Sequence, residues 1–446
     1  MMNDTIAAIA TAPGQGGVAI VRMSGPDAER ILSRLFRPAG PSAPLTSHLL
    51  TYGHVMDGDA PVDECMAVLM RAPRSYTRED VAELQLHGGG FIAQKVLALC
   101  LRCGARLAEA GEFTRRAFLN GRIDLSQAEA VMSLIAAQGE QSRRAAMNQL
   151  AGGASSFIRE AADALYDLQA GVAACIDYPE EISEEEAADD LAPRIRALAS
   201  RLDSACDERA ARILQSGLRA ALCGQPNVGK SSLLNALLGE DRAIVTPVPG
   251  TTRDMISGDL TLGGSIVHLT DTAGLHATDD PVEQLGVQRA RQALDQADVV
   301  LAVFDGSRPL TGDDRALLRD LRGRAAALLI NKSDLPQGLS PADLPDGFPV
   351  LTLSAHDPGT LEPLKAWLAE QAAVSDRLAL TQPRHLDAAR RAAAHLRQAA
   401  DTMESLSVDL CGIDLQAAQL ALSEITGDQV EEKLLDRVFA TFCVGK

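Results

Sequence analysis

The sequence predicts a multidomain α/β protein: an α+β N-terminal domain, a helical domain split along the chain, and a P-loop α/β domain inserted into it. Three observations carry that prediction. A phosphate-loop motif, Gly224-Gln-Pro-Asn-Val-Gly-Lys-Ser231, stands between an apolar run and a helical pattern. Strand and helix patterns alternate around it from residue 215 to about 375, the signature of an α/β layer. Ala-rich helical texture flanks that segment, from about Asp124 to Leu214 and again after Pro383. The expected domains are therefore 1–120, 121–214, 215–375 and 376–446, the second and fourth being parts of one helical domain. Insertion into a loop is tolerated where the ends of the insert lie close together.

The N-terminal segment mixes short β-branched runs with glycine turns, as in Gly17-Val-Ala-Ile-Val-Arg22 and Ala67-Val-Leu-Met70. It closes with an apolar helix around Phe91–Cys103. In the next segment Ala128, Val131, Leu134 and Ile135 recur at helical spacing and mark one face of a long helix. The acidic stretch from Asp177 to Asp190 reads as a solvated loop between helices. Aromatic residues make up only 3% of the chain, so the core must be aliphatic and Ala-rich.

The 446 residues suit about three domains. A formal charge of −18 excludes a broad basic surface for nucleic acid but leaves room for a local groove. Eight cysteines in so long a chain make no disulfide or zinc framework. Cys100 and Cys103 have the C-x-x-C spacing but lie in an apolar run, and they read as helix-core thiols. Met1-Met-Asn-Asp-Thr-Ile lacks the basic start of a signal peptide, and no run approaches the ~20 apolar residues of a membrane span. A cytoplasmic protein without membrane association is expected.

Leu218–Cys223 reads as a buried strand and Ser232–Leu238 as the helix that follows the phosphate loop. Between them, backbone N–H groups of Asn227, Val228, Gly229, Lys230, Ser231 and Ser232 can bind phosphate at the helix N-terminus. Lys230 is expected to reach the β- and γ-phosphates, and the Ser231 hydroxyl to ligate Mg²⁺. Gly250-Thr-Thr-Arg-Asp254 fits a switch segment whose Thr252 completes the Mg²⁺ shell. Asp271-Thr272-Ala273-Gly274 follows the strand Ile266–Thr270, and the Gly274 N–H can meet the γ-phosphate. Val299–Phe304 and Ala325–Ile330 are further core strands, the second running into Asn331-Lys332-Ser-Asp334. A carboxylate at 334 accepts both N1–H and N2–H of guanine, a pattern adenine lacks. Ser354-Ala355 closes the base pocket, so GTP is the expected substrate.

One part of this set departs from the usual pattern. A glutamine that orients the attacking water is expected after Gly274, and Leu275 stands there, without hydrogen-bonding capacity. Three replacements are open. Arg253 can act as an arginine finger. A monovalent cation held by the Asn227 side-chain oxygen can neutralise developing charge. Glu283 can orient water, although Asp280-Pro-Val-Glu283 also reads as a helix cap.

The order of motifs resembles the bacterial tRNA-modification GTPase family MnmE, also called TrmE, over essentially the whole chain. Gly14-Gln-Gly-Gly-Val18, Ser75-Tyr-Thr-Arg-Glu-Asp80, Glu83-Leu-Gln-Leu-His-Gly-Gly89 and Gly111-Glu-Phe-Thr-Arg-Arg-Ala-Phe-Leu-Asn120 carry the resemblance. Asp124-Leu-Ser-Gln-Ala-Glu-Ala130, Pro249-Gly-Thr-Thr-Arg-Asp254 and Phe442-Cys-Val-Gly-Lys446 complete it. It implies an N-terminal domain for folate binding and dimerisation, a discontinuous helical domain and an inserted Ras-like G domain.

The resemblance also implies a homodimer whose G domains pair, with K⁺ bound by Asn227, Thr246, Val248 and Thr251. It adds Thr246, Thr251 and Thr252 to the GTP site and gives Glu283 the attacking water. A folate, 5-formyl- or 5,10-methylene-tetrahydrofolate, is implied at Arg22, Glu83, Arg122 and Lys446, with Cys443 as a reactive thiol beside it. The implied partners are tRNA and an FAD-containing protein, MnmG, in a heterotetramer that modifies C5 of the wobble uridine. Three positions depart from the family's usual residues: His276 and Arg122, where it often has arginine and lysine, and Pro247, which lacks an N–H. The rival reading, a ribosome-assembly GTPase, predicts a basic RNA-binding appendage that the charge of −18 disfavours.

Overall fold

The computed structural model describes residues 4–40, 45–240, 257–271, 293–375, 380–430 and 432–445. They fall into two compact units, one of residues 1–132, 149–203 and 388–446, the other of 133–148 and 204–387.

The first unit is built on a seven-stranded sheet. Its strands are β1 (Ile6–Ile9), β2 (Val18–Ser24), β3 (Phe36–Pro38), β4 (Thr51–Asp57), β5 (Ala60–Met70), β6 (Val81–His87) and β7 (Arg106–Leu107). They run in the order β3-β4-β5-β6-β2-β1-β7. Alternation along β2 buries Ala19, Val21 and Met23 and leaves Val18, Ile20 and Arg22 on the other face, the period of a half-buried strand. Helices α1 (Ala28–Leu35) and α2 (Gly90–Arg102) cover the buried face, where Ile31, Leu32, Val96 and Leu99 meet Val21, Leu69 and Leu84. Cys100 is part of this core, and burial pushes its thiol up to about 12.

Helices α3 (Glu112–Leu119) and α4 (Leu125–Ala136) follow the sheet. The helix carrying Ala128 is shorter than its periodicity predicts: α4 stops at Ala136, Ile135 is 48% exposed, and Val131 and Leu134 are half-buried. A separate helix, α5 (Glu140–Leu150), then begins, and most of it belongs to the second unit. Next come α6 (Gly153–Asp177) and α7 (Glu184–Ser204).

The acidic stretch is only partly a loop. From Glu184 onward it is the first two turns of α7, where carboxylates favour the positive end of the helix dipole. Ser183 and Glu186 cap it reciprocally: the Ser183 backbone N–H donates to Glu186 Oε2 at 3.3 Å, and the Glu186 N–H donates to Ser183 Oγ at 3.2 Å.

The second unit adds α8 (Glu208–Ser216) and a six-stranded sheet. In chain order this contains β8 (Leu218–Cys223), α9 (Lys230–Glu240), β9 (Ser257–Leu262), β10 (Ser265–Asp271), β11 (Val299–Asp305), α10 (Gly312–Asp320), β12 (Ala326–Asn331), β13 (Val350–Thr352) and α11 (Glu362–Ala372). The sheet order is β13-β12-β11-β8-β10-β9, parallel except for the antiparallel hairpin β9–β10. Strands β8, β11 and β12 are buried on both faces, as a parallel sheet sandwiched by helices requires. Back in the first unit, α12 (Pro383–Ser405), α13 (Gly412–Thr426) and α14 (Glu432–Ala440) close the chain. Residues from Ala388 onward belong there, and Phe439 and Phe442 pack with Leu125 and Ala128.

Candidate nucleotide site

The phosphate loop lies at the C-terminal end of β8, where open α/β sheets bind ligands. Val228 is buried in the core and anchors the loop, while Asn227 stands exposed at φ 64°, a left-handed conformation that asparagine tolerates. Gly229 has φ 95°, and a Cβ there would stand 2.3 Å from Asn331 Nδ2. The loop must therefore be backbone alone at this point. With the start of α9 and the loops after β12 and β13, it lines a cleft of about 680 Å³.

Lys230 is 7% exposed, and its Nζ donates to the carbonyls of Gly224 (3.0 Å) and Gln225 (2.9 Å). Burial pushes its ammonium below the usual range, with the attraction of Asp271 acting the other way. A charge held by loop carbonyls at the cradle can exchange them for phosphate oxygens. Ser231 Oγ donates to Asp271 Oδ2 at 2.7 Å. Asp271 is buried, and its Oδ1 has no partner among the described residues. A hydroxyl and a buried carboxylate with an oxygen to spare are the hard donors that fit Mg²⁺.

The base end is built from two loops braced together. Buried Asn331 donates from Nδ2 to the Val228 carbonyl at 2.7 Å and accepts from the Ala355 N–H at 3.3 Å. One side chain thus ties the phosphate loop to the base loop. Lys332 has φ 64°, and its Nζ is fixed to Asp305 Oδ2 at 2.6 Å. Burial raises the Asp305 carboxyl, but the bonds from Lys332 and Ser307 outweigh it and hold it below the usual range. Asp334 is exposed to the cleft and accepts from Ser354 Oγ at 2.5 Å, a bond that keeps its carboxyl ionised and low.

Of the residues expected at the nucleotide, the structure brings together Asn227, Val228, Gly229, Lys230, Ser231, Ser232, Asp271, Asn331, Lys332, Asp334, Ser354 and Ala355. Thr246, Val248, Thr251, Thr252, Thr272, Ala273, Gly274 and Glu283 lie outside the described residues, as do Arg253, Leu275 and Lys446. Sequence reasoning missed Asp305, Leu335 and His356, the last two lining the cleft. Asp305 had a readable signal, an acid closing the apolar run of β11 in register with Asn331.

In the first unit, Arg22 and Glu83 face each other across β2 and β6, with Nε donating to Oε1 at 2.7 Å. The Arg22 guanidinium lies 5.8 Å from the Phe113 ring centroid. The chain after α14 reaches the same sheet: Val444 bridges Ala110, and a Cβ on Gly445 would stand 2.5 Å from the Ile9 carbonyl, one strand from Arg22. That tail carries Cys443 with its side chain exposed. Arg122 instead donates to the Tyr76 carbonyl at 3.2 Å and lies over the Tyr76 ring at 4.7 Å.

Both architectures match known families. Residues 5–122 match the model of the GTP-binding protein TrmE N-terminus, and residues 125–443 match that of the MnmE helical domain. The chain is 46% identical to the tRNA modification GTPase MnmE of Symbiobacterium thermophilum over 457 residues, covering 100% of both chains. It belongs to the MnmE family of tRNA modification GTPases. The proteins of the same name from Heliobacterium modesticaldum (45% identical) and Chloroflexus aurantiacus (46%) also match over 100% of both chains. Family membership thus spans both units. Among the described residues, no helix is long and apolar enough to cross a membrane.

Proposed function

We propose that the chain binds and hydrolyses GTP with Mg²⁺ in the β8–α9 cleft and couples that cycle to modification of the tRNA wobble uridine at C5. The observation that carries the nucleotide reading is the Asn331 brace. It fixes the phosphate loop against the loop bearing Ser354 and Ala355, so a ligand with phosphates at one end and a base at the other meets a preformed site. Asp334 reads guanine by accepting its N1–H and N2–H, and the Ser354 hydroxyl orients the carboxylate for that purpose. Lys230 and the loop N–H groups hold the β- and γ-phosphates. When bound at Ser231 and Asp271, Mg²⁺ supplies charge neutralisation at the phosphate oxygens.

Lacking a glutamine after Gly274, the chain assigns water positioning to Glu283. Charge compensation falls to K⁺ held by Asn227 with Thr246, Val248 and Thr251, in a site ordered by pairing of G domains across a homodimer. Asn227 supports this reading, since its exposed left-handed position on the phosphate loop leaves its side chain at the cleft.

In the first unit, Glu83 is the pterin-binding carboxylate and Arg22, Arg122 and Lys446 are the cations for a tetrahydrofolate one-carbon donor. Cys443 is the thiol beside it. The Arg22–Glu83 pair and the docked tail support this reading. The redox chemistry belongs to an FAD-containing partner, MnmG, in a heterotetramer that takes tRNA as substrate in the cytoplasm.

Two experiments test these assignments. Nucleoside profiling of tRNA from a strain lacking the protein should show loss of the C5 group at the wobble uridine, and an unchanged profile overturns the functional reading. GTP hydrolysis should be faster in K⁺ than in Na⁺, and equal rates sink the cation mechanism.

A further inference from the structure

The nucleotide unit contains a helix that the sequence texture assigns elsewhere. Residues 133–148, most of α5 among them, belong to the same compact unit as the β8–β13 sheet. The contact that holds α5 there is made at the turn of the β9–β10 hairpin. The Gln141 backbone N–H donates to the Gly264 carbonyl at 3.0 Å, and Gln141 Nε2 donates to the Gly263 carbonyl at 3.0 Å. The other end of the same amide, Oε1, accepts from the Val374 N–H at 3.1 Å, just where the chain leaves α11. Approach is close enough that a Cβ on Gly139 would stand 2.6 Å from the Gly264 carbonyl oxygen. One side chain thus grips both the hairpin turn and the exit from the nucleotide domain.

The hairpin runs from that grip to the nucleotide. Its ladder is continuous from Leu262↔Ser265 at the turn to Ser257↔Thr270 at the far end, about 17 Å away at the usual rise per residue. The next residue of β10 is Asp271, bonded to Ser231. In sequence, β9 begins three positions after the Gly250–Asp254 motif. Strand β10 is therefore tied at one end to the nucleotide site through Asp271 and at the other, through the hairpin turn, to Gln141. The hairpin lies at the sheet edge and packs against α9 and α11, with Gly258 so close to Leu238 that a Cβ would stand 2.2 Å from Cδ1.

Behind α5 lies a cavity of about 160 Å³, lined by Gln141, Arg144, Asn148, Leu214 and Val374 among others. Leu214 and Val374 mark where the chain enters and leaves the sheet, so the seat of α5 is formed by the two connections of the insert. A helix on an incompletely filled seat can shift at lower cost than one in a close-packed core.

We propose that Gln141 is a positioning residue for the GTPase reaction, acting through the β9–β10 hairpin. It sets the end of β10 that carries Asp271 and passes the nucleotide state into α5. This proposal rests on the reading of the β8–α9 cleft as the GTP site. Coupling of this kind requires an element with two arrangements that both sites bias. Here that element is the hairpin with α5 clamped on its turn. The turn Ala151-Gly152 then joins α5 to α6. Gln141→Met removes both side-chain bonds at nearly constant volume, while Gln141→Glu keeps the acceptor for Val374 and loses the donor to Gly263.

The test is hydrogen exchange on the full-length protein with Mg²⁺, with and without a non-hydrolysable GTP analogue, together with steady-state GTP hydrolysis. In the wild type, the analogue should slow exchange in residues 224–232 and change exchange in residues 141–148 several-fold. Gln141→Met should keep the first effect and lose the second. Its kcat should fall about fivefold or more with KM within about twofold, because the base and phosphate loops are not touched. Gln141→Glu should show the same loss of coupling, which separates the amide donor from simple helix packing. A wild type whose 141–148 amides ignore the analogue while 224–232 respond overturns the proposal, as does a Gln141→Met protein that keeps the coupled response. Absence of any response in 224–232 overturns the GTP reading itself, and the coupling with it.

Discussion

Replacing Asn331 with alanine tests whether the nucleotide cleft is braced before ligand arrives. The side chain is buried and makes two neutral hydrogen bonds, to the Val228 carbonyl at 2.7 Å and from the Ala355 N–H at 3.3 Å. A net contribution of about 1 kcal/mol each, plus the cost of leaving the buried Val228 carbonyl unpaired, gives a loss of about 2–3 kcal/mol in Asn331→Ala. Val228 is inaccessible to replacement water, whereas Ala355 is half-buried, so the larger share falls on the phosphate loop. The only tryptophan, Trp367, lies in α11 against the core of this unit and reports its unfolding by fluorescence. The urea midpoint should drop by roughly 1 M at an ordinary dependence on denaturant.

GTP affinity of the same variant should fall about tenfold or more, since binding must then order two loops that the wild type holds together. Asp334→Ala is the contrast. Asp334 is exposed and takes a single side-chain bond, from Ser354 Oγ, so its loss should change stability by only about 1 kcal/mol. It should nonetheless weaken GTP binding by about a hundredfold through two charge-assisted bonds. An Asn331→Ala protein that unfolds at the wild-type urea concentration and binds GTP normally would refute the brace.

Ser231→Ala removes the donor to Asp271 and one hard ligand, so Mg²⁺-dependent hydrolysis should fall about 100-fold or more, while nucleotide binding measured in chelator changes little. Glu112 is buried, with Arg106 at 2.6 Å and Arg116 at 3.0 Å. Burial raises its carboxyl, but these arginines and the Glu109 N–H outweigh it and leave it below the ordinary range. The stability it contributes is therefore present above the usual glutamate pKa and lost as pH falls through the lower folded value. Glu112→Gln should cost about 3 kcal/mol at neutral pH and flatten the acid limb of a thermal-stability profile; an acid limb as steep as wild type would count against the assignment. Gly445 has φ 94° and sits against the Ile9 carbonyl, so Gly445→Ala should release the tail, read as faster hydrogen exchange at Gly111, whose N–H meets the Cys443 carbonyl.

Much of the nucleotide cleft was legible because its motifs dictate their own geometry. A glycine required at φ 95°, a lysine at the helix start and an acid after the asparagine brace are local facts, written in consecutive residues. The membership of α5 was not legible. Its Arg, Ala and Gln residues have the texture of the neighbouring helices, and what places it is a backbone contact with a glycine turn far away in sequence. The pairing of Arg22 with Glu83 is likewise a fact of strand register, invisible until β2 and β6 are aligned. The misjudged acidic stretch had a readable signal in Ser183-Glu-Glu-Glu186, a capping box that outweighs the reading of clustered charge as loop.

The strand-like contact between Ala110 and Val444 sets a condition on how the protein comes into being. The N-terminal sheet and α3 can form early during synthesis, but the tail that docks on Ala110 and Ile9 exists only after the whole nucleotide unit has been translated. Closing so long a loop costs only slightly more entropy than closing a shorter one, so the delay is one of time and not of stability. The N-terminal sheet is thereby completed last, although its strands are made first.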